Sequence, residues 1–140
     1  MPNTSGLHCL IVDDEPRLRR VLVRLLEGEG FTCAEAGSGV EALWELEQRP
    51  APLVISDLRM PEMDGVSLLR EIVVRWPDTA VIVVTAVAEV ESAVACLQMG
   101  AVDYVAKPFH LEEVRARVSQ ALDKRRLVML GAFVPVALKN

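Results

Sequence analysis

The chain has 140 residues, which is the length of one domain. It is 51% hydrophobic and 25% charged, so it is not a mainly disordered chain. Its net charge of −5 does not favour nucleic acid, and 4% aromatic residues are too few for a platform that stacks bases or sugars. Leu7–Val12 is a short apolar run that predicts the first strand and ends in acids. Pro16 suits the first turn of a helix whose Leu18, Val21, Leu22, Leu25 and Leu26 recur on one face; Gly28 and Gly30 stop it. Phe31–Ala36 predicts the second strand. Ser38 caps a second helix that turns Val40, Leu43 and Leu46 inward. Pro50 and Pro52 precede the third strand, Leu53–Ser56. Asp64-Gly65 opens a third helix with Leu69, Ile72, Val73 and Trp76 on one side. Ala80–Val84 is a fourth, fully apolar strand. Val90, Ala93, Val94 and Leu97 mark a fourth helix that Gly100 stops. Ala101–Val105 predicts a fifth strand, and Leu111, Val114, Val118 and Leu122 mark a fifth helix.

Strict alternation of strand and helix predicts an α/β domain with a parallel sheet and helices on both faces. Continuously apolar strands agree, because a parallel sheet is buried on both sides. Right-handed crossovers with one reversal of direction make the domain doubly wound, and sites in such sheets form beyond the carboxyl ends of the strands. At those ends stand Asp13, Asp14 and Glu15 after the first strand, and Asp57 after the third. Thr85 follows the fourth strand, and Lys107-Pro108 the fifth. Acids, a hydroxyl and a cation thus meet on one edge.

These residues carry a pattern. Ile-Val-Asp-Asp-Glu (11–15), Ser-Asp-Leu-Arg-Met-Pro-Glu-Met-Asp-Gly (56–65), Val-Val-Thr-Ala (83–86) and Gly-Ala-Val-Asp-Tyr-Val-Ala-Lys-Pro-Phe (100–109) occur in order. Over about residues 7–126 the chain resembles the receiver, or phosphoacceptor, domain of two-component response regulators. The resemblance implies a flavodoxin-like, five-stranded parallel sheet of order 2-1-3-4-5 with five helices. It implies that Asp57 accepts a phosphoryl group from a histidine kinase or phosphotransfer protein. Asp13, Asp14 and Asp57 would bind Mg²⁺ together with the backbone carbonyl of Arg59. Thr85 and Lys107 would contact the phosphoryl oxygens, and Thr85 and Tyr104 would form a switch. It also implies a cis Lys107–Pro108 bond, aiming Lys107 at the site, and an output surface made by the fourth helix, fifth strand and fifth helix.

The chemistry suits the residue types. A carboxylate is a weak nucleophile that can form an acyl phosphate, and attack on a charged phosphoryl group needs charge neutralisation. Mg²⁺ takes hard oxygen ligands, which carboxylates and a carbonyl supply. Crowding Asp13, Asp14 and Asp57 without a cation raises at least one pKa, and Mg²⁺ or Lys107 relieves the repulsion. Pro61 stiffens the loop after Asp57, Gly65 lets it turn tightly, and Pro108 restricts the backbone at Lys107. Val87 cannot orient a water, so slow self-dephosphorylation is expected. The domain would catalyse its own phosphotransfer and turn over no external substrate. An unphosphorylated, receiver-like binding module is the alternative. A phosphatase is disfavoured because Arg59, two residues beyond Asp57, cannot act as the acid; FMN binding is disfavoured by the acidic strand ends.

Other features are less directive. Arg17, Arg20 and Arg24 share the outer face of the first helix, where a solvated face and a kinase-docking face both fit. Trp44 and Trp76 read as packing residues. Cys9, Cys33 and Cys96 lie far apart and read as reduced, buried thiols in a cytoplasmic protein. No signal peptide and no membrane span are expected. Residues 1–126 are assigned to the receiver and 127–140 to an apolar tail or linker. Ten of the last 14 residues are apolar, so Leu127–Leu138 is expected to pack on a neighbour. Homodimerisation is expected through that tail or through the output surface, and this segment is expected to bind no nucleic acid directly.

Overall fold

The computed structural model describes residues 7–60, 62–86 and 89–129. Five strands and five helices alternate: β1 (His8–Val12), α1 (Pro16–Gly28), β2 (Thr32–Ala36), α2 (Gly39–Gln48), β3 (Leu53–Asp57), α3 (Gly65–Arg75), β4 (Ala80–Ala86), α4 (Val90–Met99), β5 (Asp103–Lys107) and α5 (Leu111–Met129). All strand pairs are parallel, and their order is β2-β1-β3-β4-β5. The chain reverses its winding between β1 and β3, so the crevice of this doubly wound sheet opens where those two strands end.

Strand alternation divides the core into two layers. Cys9, Ile11, Leu53, Ile55, Ile82, Val84 and Val105 face α1 and α5. Leu10, Val12, Val54, Val81 and Val83 face α2, α3 and α4. Burial of β1, β3 and most of β4 on both faces explains their unbroken apolar sequences.

The helix ends follow local chemistry. Ser38 accepts from the Glu41 N–H and Asp64 from the Ser67 N–H, each capping a helix start. At the end of α1 the Gly30 and Phe31 N–H groups donate to the Glu27 and Leu26 carbonyls, with Gly30 at φ 96°. At the end of α4 the Gly100 and Ala101 N–H groups donate to Leu97 and Cys96, with Gly100 at φ 121°. Both are Schellman stops, in which a left-handed glycine satisfies the last carbonyls.

Several expectations from the sequence need correction. The fifth strand is Asp103–Lys107, not Ala101–Val105, because Ala101 is consumed by the α4 stop while Ala106 and Lys107 pair with Thr85 and Ala86. Val40 of α2 is exposed, while Leu46 is buried as expected and Ala42 joins it on the buried face. Val21, Val94 and Leu111 are likewise exposed. Trp44 is 58% exposed, so it is no packing residue, whereas Trp76 is half-buried and lies against the guanidinium of Arg75. Cys9 and Cys96 are buried but Cys33 is only half-buried. The fifth helix runs on to Met129, and the rest of the tail lies outside the described residues, as do Pro61 and Val87. No described helix is long and apolar enough to cross a membrane.

Candidate functional site

Each site residue is delivered by the end of a strand. Asp13 leaves β1, and its N–H donates to the Ala36 carbonyl at the end of β2 (3.1 Å). Its Oδ1 accepts from the Glu15 N–H (2.8 Å), which fixes the carboxylate at the turn into α1. Asp57 is the last residue of β3, paired in register with Val84. Its Oδ1 accepts from the Arg59 N–H (3.2 Å), so the backbone at 59 lies beside the carboxylate. Lys107 ends β5, and the bond to Pro108 is cis. Its Nζ donates to Asp57 Oδ2 (3.1 Å) and Asp13 Oδ2 (3.3 Å).

Asp13, Asp14 and Asp57 each present a carboxylate oxygen within 4.8 Å of the others. Asp13 and Asp57 are buried and Asp14 is exposed, so the cluster opens to solvent on one side. Burial pushes the Asp13 pKa up, and the Asp57 charge adds to that; the Glu15 N–H and Lys107 oppose it without cancelling it. For Lys107 burial acts downward, but the hydrogen bond to Asp57 and the charges of Asp13 and Asp57 outweigh it, and its pKa is raised. One ammonium is therefore shared between the two buried carboxylates. Three hard, closely spaced oxygen donors with a solvent-facing side suit a small divalent cation that keeps part of its water shell.

Asp57, Arg59, Thr85, Ala86, Glu89 and Lys107 line a cavity of about 150 Å³. Thr85 is buried, and its hydroxyl donates to the Ala86 carbonyl (3.2 Å). Tyr104 is half-buried in the core layer that faces α4. Gly65 shapes the junction between β3 and α3. A Cβ there would lie 2.3 Å from the Asp57 carbonyl oxygen and 2.6 Å from Leu58 Cα, so only glycine lets α3 start this close to β3. The sheet edge thus brings together Asp13, Asp14, Asp57, Thr85, Lys107 and the backbone of Arg59, while Tyr104 sits on β5 opposite Val83, set back from the edge.

Two residues at the site were not singled out from sequence. Arg19 donates from Nη1 to the Asp13 carbonyl (2.6 Å) and from Nε to Glu35 Oε1 (3.0 Å), tying α1 to the ends of β1 and β2. Its position off the Arg17–Arg20–Arg24 stripe is the signal that separates it from those three exposed arginines. Glu89 precedes α4 and pairs with the Arg59 guanidinium. Nothing in its local sequence marks it, because its partner is 30 residues away.

The chain is similar to known proteins in sequence and fold. The profile of the response regulator receiver domain matches residues 9–119. The DNA-binding transcriptional regulator NtrC of Escherichia coli (strain K12) is 42% identical over 112 residues, covering 80% of this chain and 24% of NtrC. The C4-dicarboxylate transport transcriptional regulatory protein DctD of Rhizobium meliloti is 42% identical over 119 residues, covering 85% of this chain and 26% of DctD. The chain therefore spans about a quarter of the length of these relatives. Among solved structures, the receiver domain of NtrX from Brucella abortus superposes with a TM-score of 0.79 at 30% identity, covering 82% of this chain and 98% of that one. A receiver domain protein from Clostridium thermocellum gives 0.81 at 28% identity, covering 87% and 98%. With the sheet order, the edge cluster and the sequence profile in agreement, this chain belongs to the response regulator receiver domain family of two-component signalling.

Proposed function

We propose that Asp57 is the phosphoacceptor of this receiver, and that a phosphohistidine of a histidine kinase or phosphotransfer protein is the donor. The observation that carries this reading is the Asp57 carboxylate held 3.1 Å from Lys107 Nζ beside two further acids. In the transfer, an Asp57 oxygen forms the new P–O bond as the P–N bond to imidazole breaks, and the departing imidazole takes up a proton. Asp13, Asp14, Asp57 and the Arg59 carbonyl would hold Mg²⁺, which supplies charge neutralisation for the phosphoryl oxygens. Lys107 is already within reach and exchanges a carboxylate oxygen for a phosphoryl oxygen. The Thr85 hydroxyl, bonded to the next carbonyl, is free to rotate toward the new anion. Its movement draws on the start of α4, and Tyr104 on the neighbouring strand β5 follows into the space released. The α4–β5–α5 face is the output surface in this reading, and homodimerisation through it or through the tail is the form of output proposed. Residues 1–126 make the receiver and 127–140 the linker or assembly segment, in a protein of the cytoplasm. No nucleic acid is bound by this segment itself.

The test is intact mass after incubation with acetyl phosphate. Gain of one phosphoryl group that requires Mg²⁺ and is absent in Asp57→Asn supports the proposal. No gain in the wild type points to a receiver-like module that binds its partner without modification.

A further inference from the structure

The Arg59–Glu89 ion pair is outside everything assigned above, yet it stands at the site. Arg59 lies in the loop after β3, and Glu89 is the residue from which α4 starts. Both side chains line the phosphoacceptor cavity with Asp57, Thr85 and Lys107. Both also line a second cavity of about 310 Å³ with Met60, Asp64, Val66 and Ser92. The pair is thus part of a wall between the two cavities, and it ties the phosphoacceptor loop to the beginning of α4.

Charge decides what this wall does. In the absence of a phosphoryl group Arg59 has Glu89 as its anion. A phosphoryl group on Asp57 would place a second, more highly charged anion in the cavity that Arg59 already lines. The Arg59 side chain is 77% exposed, so its bond to Glu89 is screened and readily exchanged, whereas Glu89 is only 24% exposed. A planar guanidinium matches phosphate oxygens as well as it matches a carboxylate.

We propose that Arg59–Glu89 is an electrostatic latch: phosphorylation of Asp57 draws Arg59 off Glu89 and releases the N-terminal end of α4. This rests on Asp57 being the phosphoacceptor. Glu89 acts as a positioning residue, working through Arg59. It holds the loop and helix in the resting arrangement and withholds Arg59 from the phosphoryl group.

The test is the affinity for fluoroberyllate with Mg²⁺ in the wild type, Glu89→Gln, Arg59→Ala and the double variant, with thermal unfolding confirming that each is folded. Freeing Arg59 should tighten binding in Glu89→Gln by roughly 3- to 10-fold, the range of a single charge-assisted contact. In the Arg59→Ala background the same change should matter less than about 2-fold, since no guanidinium remains to be freed. In the unmodified protein, Glu89→Gln should also speed amide exchange at 89–97 toward the rate of the fluoroberyllate-bound wild type. Equal tightening in both backgrounds would show that Glu89 acts only by its own charge and would overturn the latch, as would no tightening or unchanged exchange. Failure of the wild type to bind fluoroberyllate would instead overturn the phosphoacceptor reading and the latch with it.

Discussion

The two ends of the same sheet differ in kind. At the carboxyl end, Asp13 follows β1 while β3 and β5 finish in Asp57 and Lys107, and two buried carboxylates share one ammonium. At the amino end, Pro50, Pro52, Pro77, Trp76 and Arg125 line an open groove, and the chain makes ordinary turns. There Thr79 Oγ1 donates to the Ala51 carbonyl (2.7 Å) and Arg125 Nε to the Asp78 carbonyl (2.7 Å). One end closes the fold by satisfying backbone groups. The other carries like charges whose burial is unfavourable in the absence of a cation. Between them β1, β3 and β4 are almost wholly apolar, which keeps the acid–ammonium cluster at one edge.

Substitutions at the two ends test this contrast. The largest effect is expected for Gly65→Ala, because its Cβ would meet backbone atoms that cannot swing aside. A loss of about 3 kcal/mol in urea unfolding is the expected outcome; an unchanged midpoint would mean that the β3–α3 junction is looser than its geometry. Next is the metal. Mg²⁺ at a hundred times its dissociation constant should add about 2.7 kcal/mol to wild-type stability. Asp13→Asn should lose most of that gain while making the metal-free protein more stable, since it removes a buried charge facing Asp57. A metal-free loss of stability would contradict the repulsion argument.

The pH dependence comes third. The Asp13 pKa is raised above its ordinary value of 3.8, so the folded metal-free protein binds more protons than the unfolded chain above that value. This contribution is fully present in acid and is lost as pH rises through the raised pKa. Mg²⁺ affinity should increase over the same window, and Asp13→Asn should flatten it. The Lys107 pKa is also raised, from 10.5, so its contribution is present below that pH and is lost as alkali carries the folded group through its own pKa. Titration of the unfolding midpoint with and without Mg²⁺ checks both signs. The smallest effect belongs to the other end. Arg125→Ala should cost less than about 1 kcal/mol, as one exposed hydrogen bond does, and leave phosphoryl uptake unchanged. Slower uptake would mean that the two ends are coupled.

The sequence made one end far more legible than the other features. Asp13, Asp57, Thr85 and Lys107 stand where apolar runs stop, so strand ends and motifs coincide. The fold was readable for the same reason, since buried parallel strands cannot hide polar residues mid-run. Boundaries were less so. The apolar Ala101–Val102 looks like a strand, but the Schellman stop at Gly100 claims it, and polar Lys107 does not look like a strand yet pairs with Ala86. Val21, Val40, Val94 and Leu111 show the limit of helical periodicity, which marks a face without saying how far its edge is covered. Glu89 escaped because its partner is 30 residues away, where no local pattern reaches, whereas Arg19 carried only the weak signal of standing off the exposed arginine stripe.

The carboxylate of Asp57, and not its acidic neighbours, is the group proposed to take the phosphoryl group. An acyl phosphate is reduced by borohydride to an alcohol, so a phosphorylated aspartate becomes homoserine and is marked in place. Peptide mapping of the phosphorylated, borotritide-reduced protein should find labelled homoserine at position 57 alone. Label at 13 or 14, or incorporation that does not depend on phosphorylation, would contradict the account.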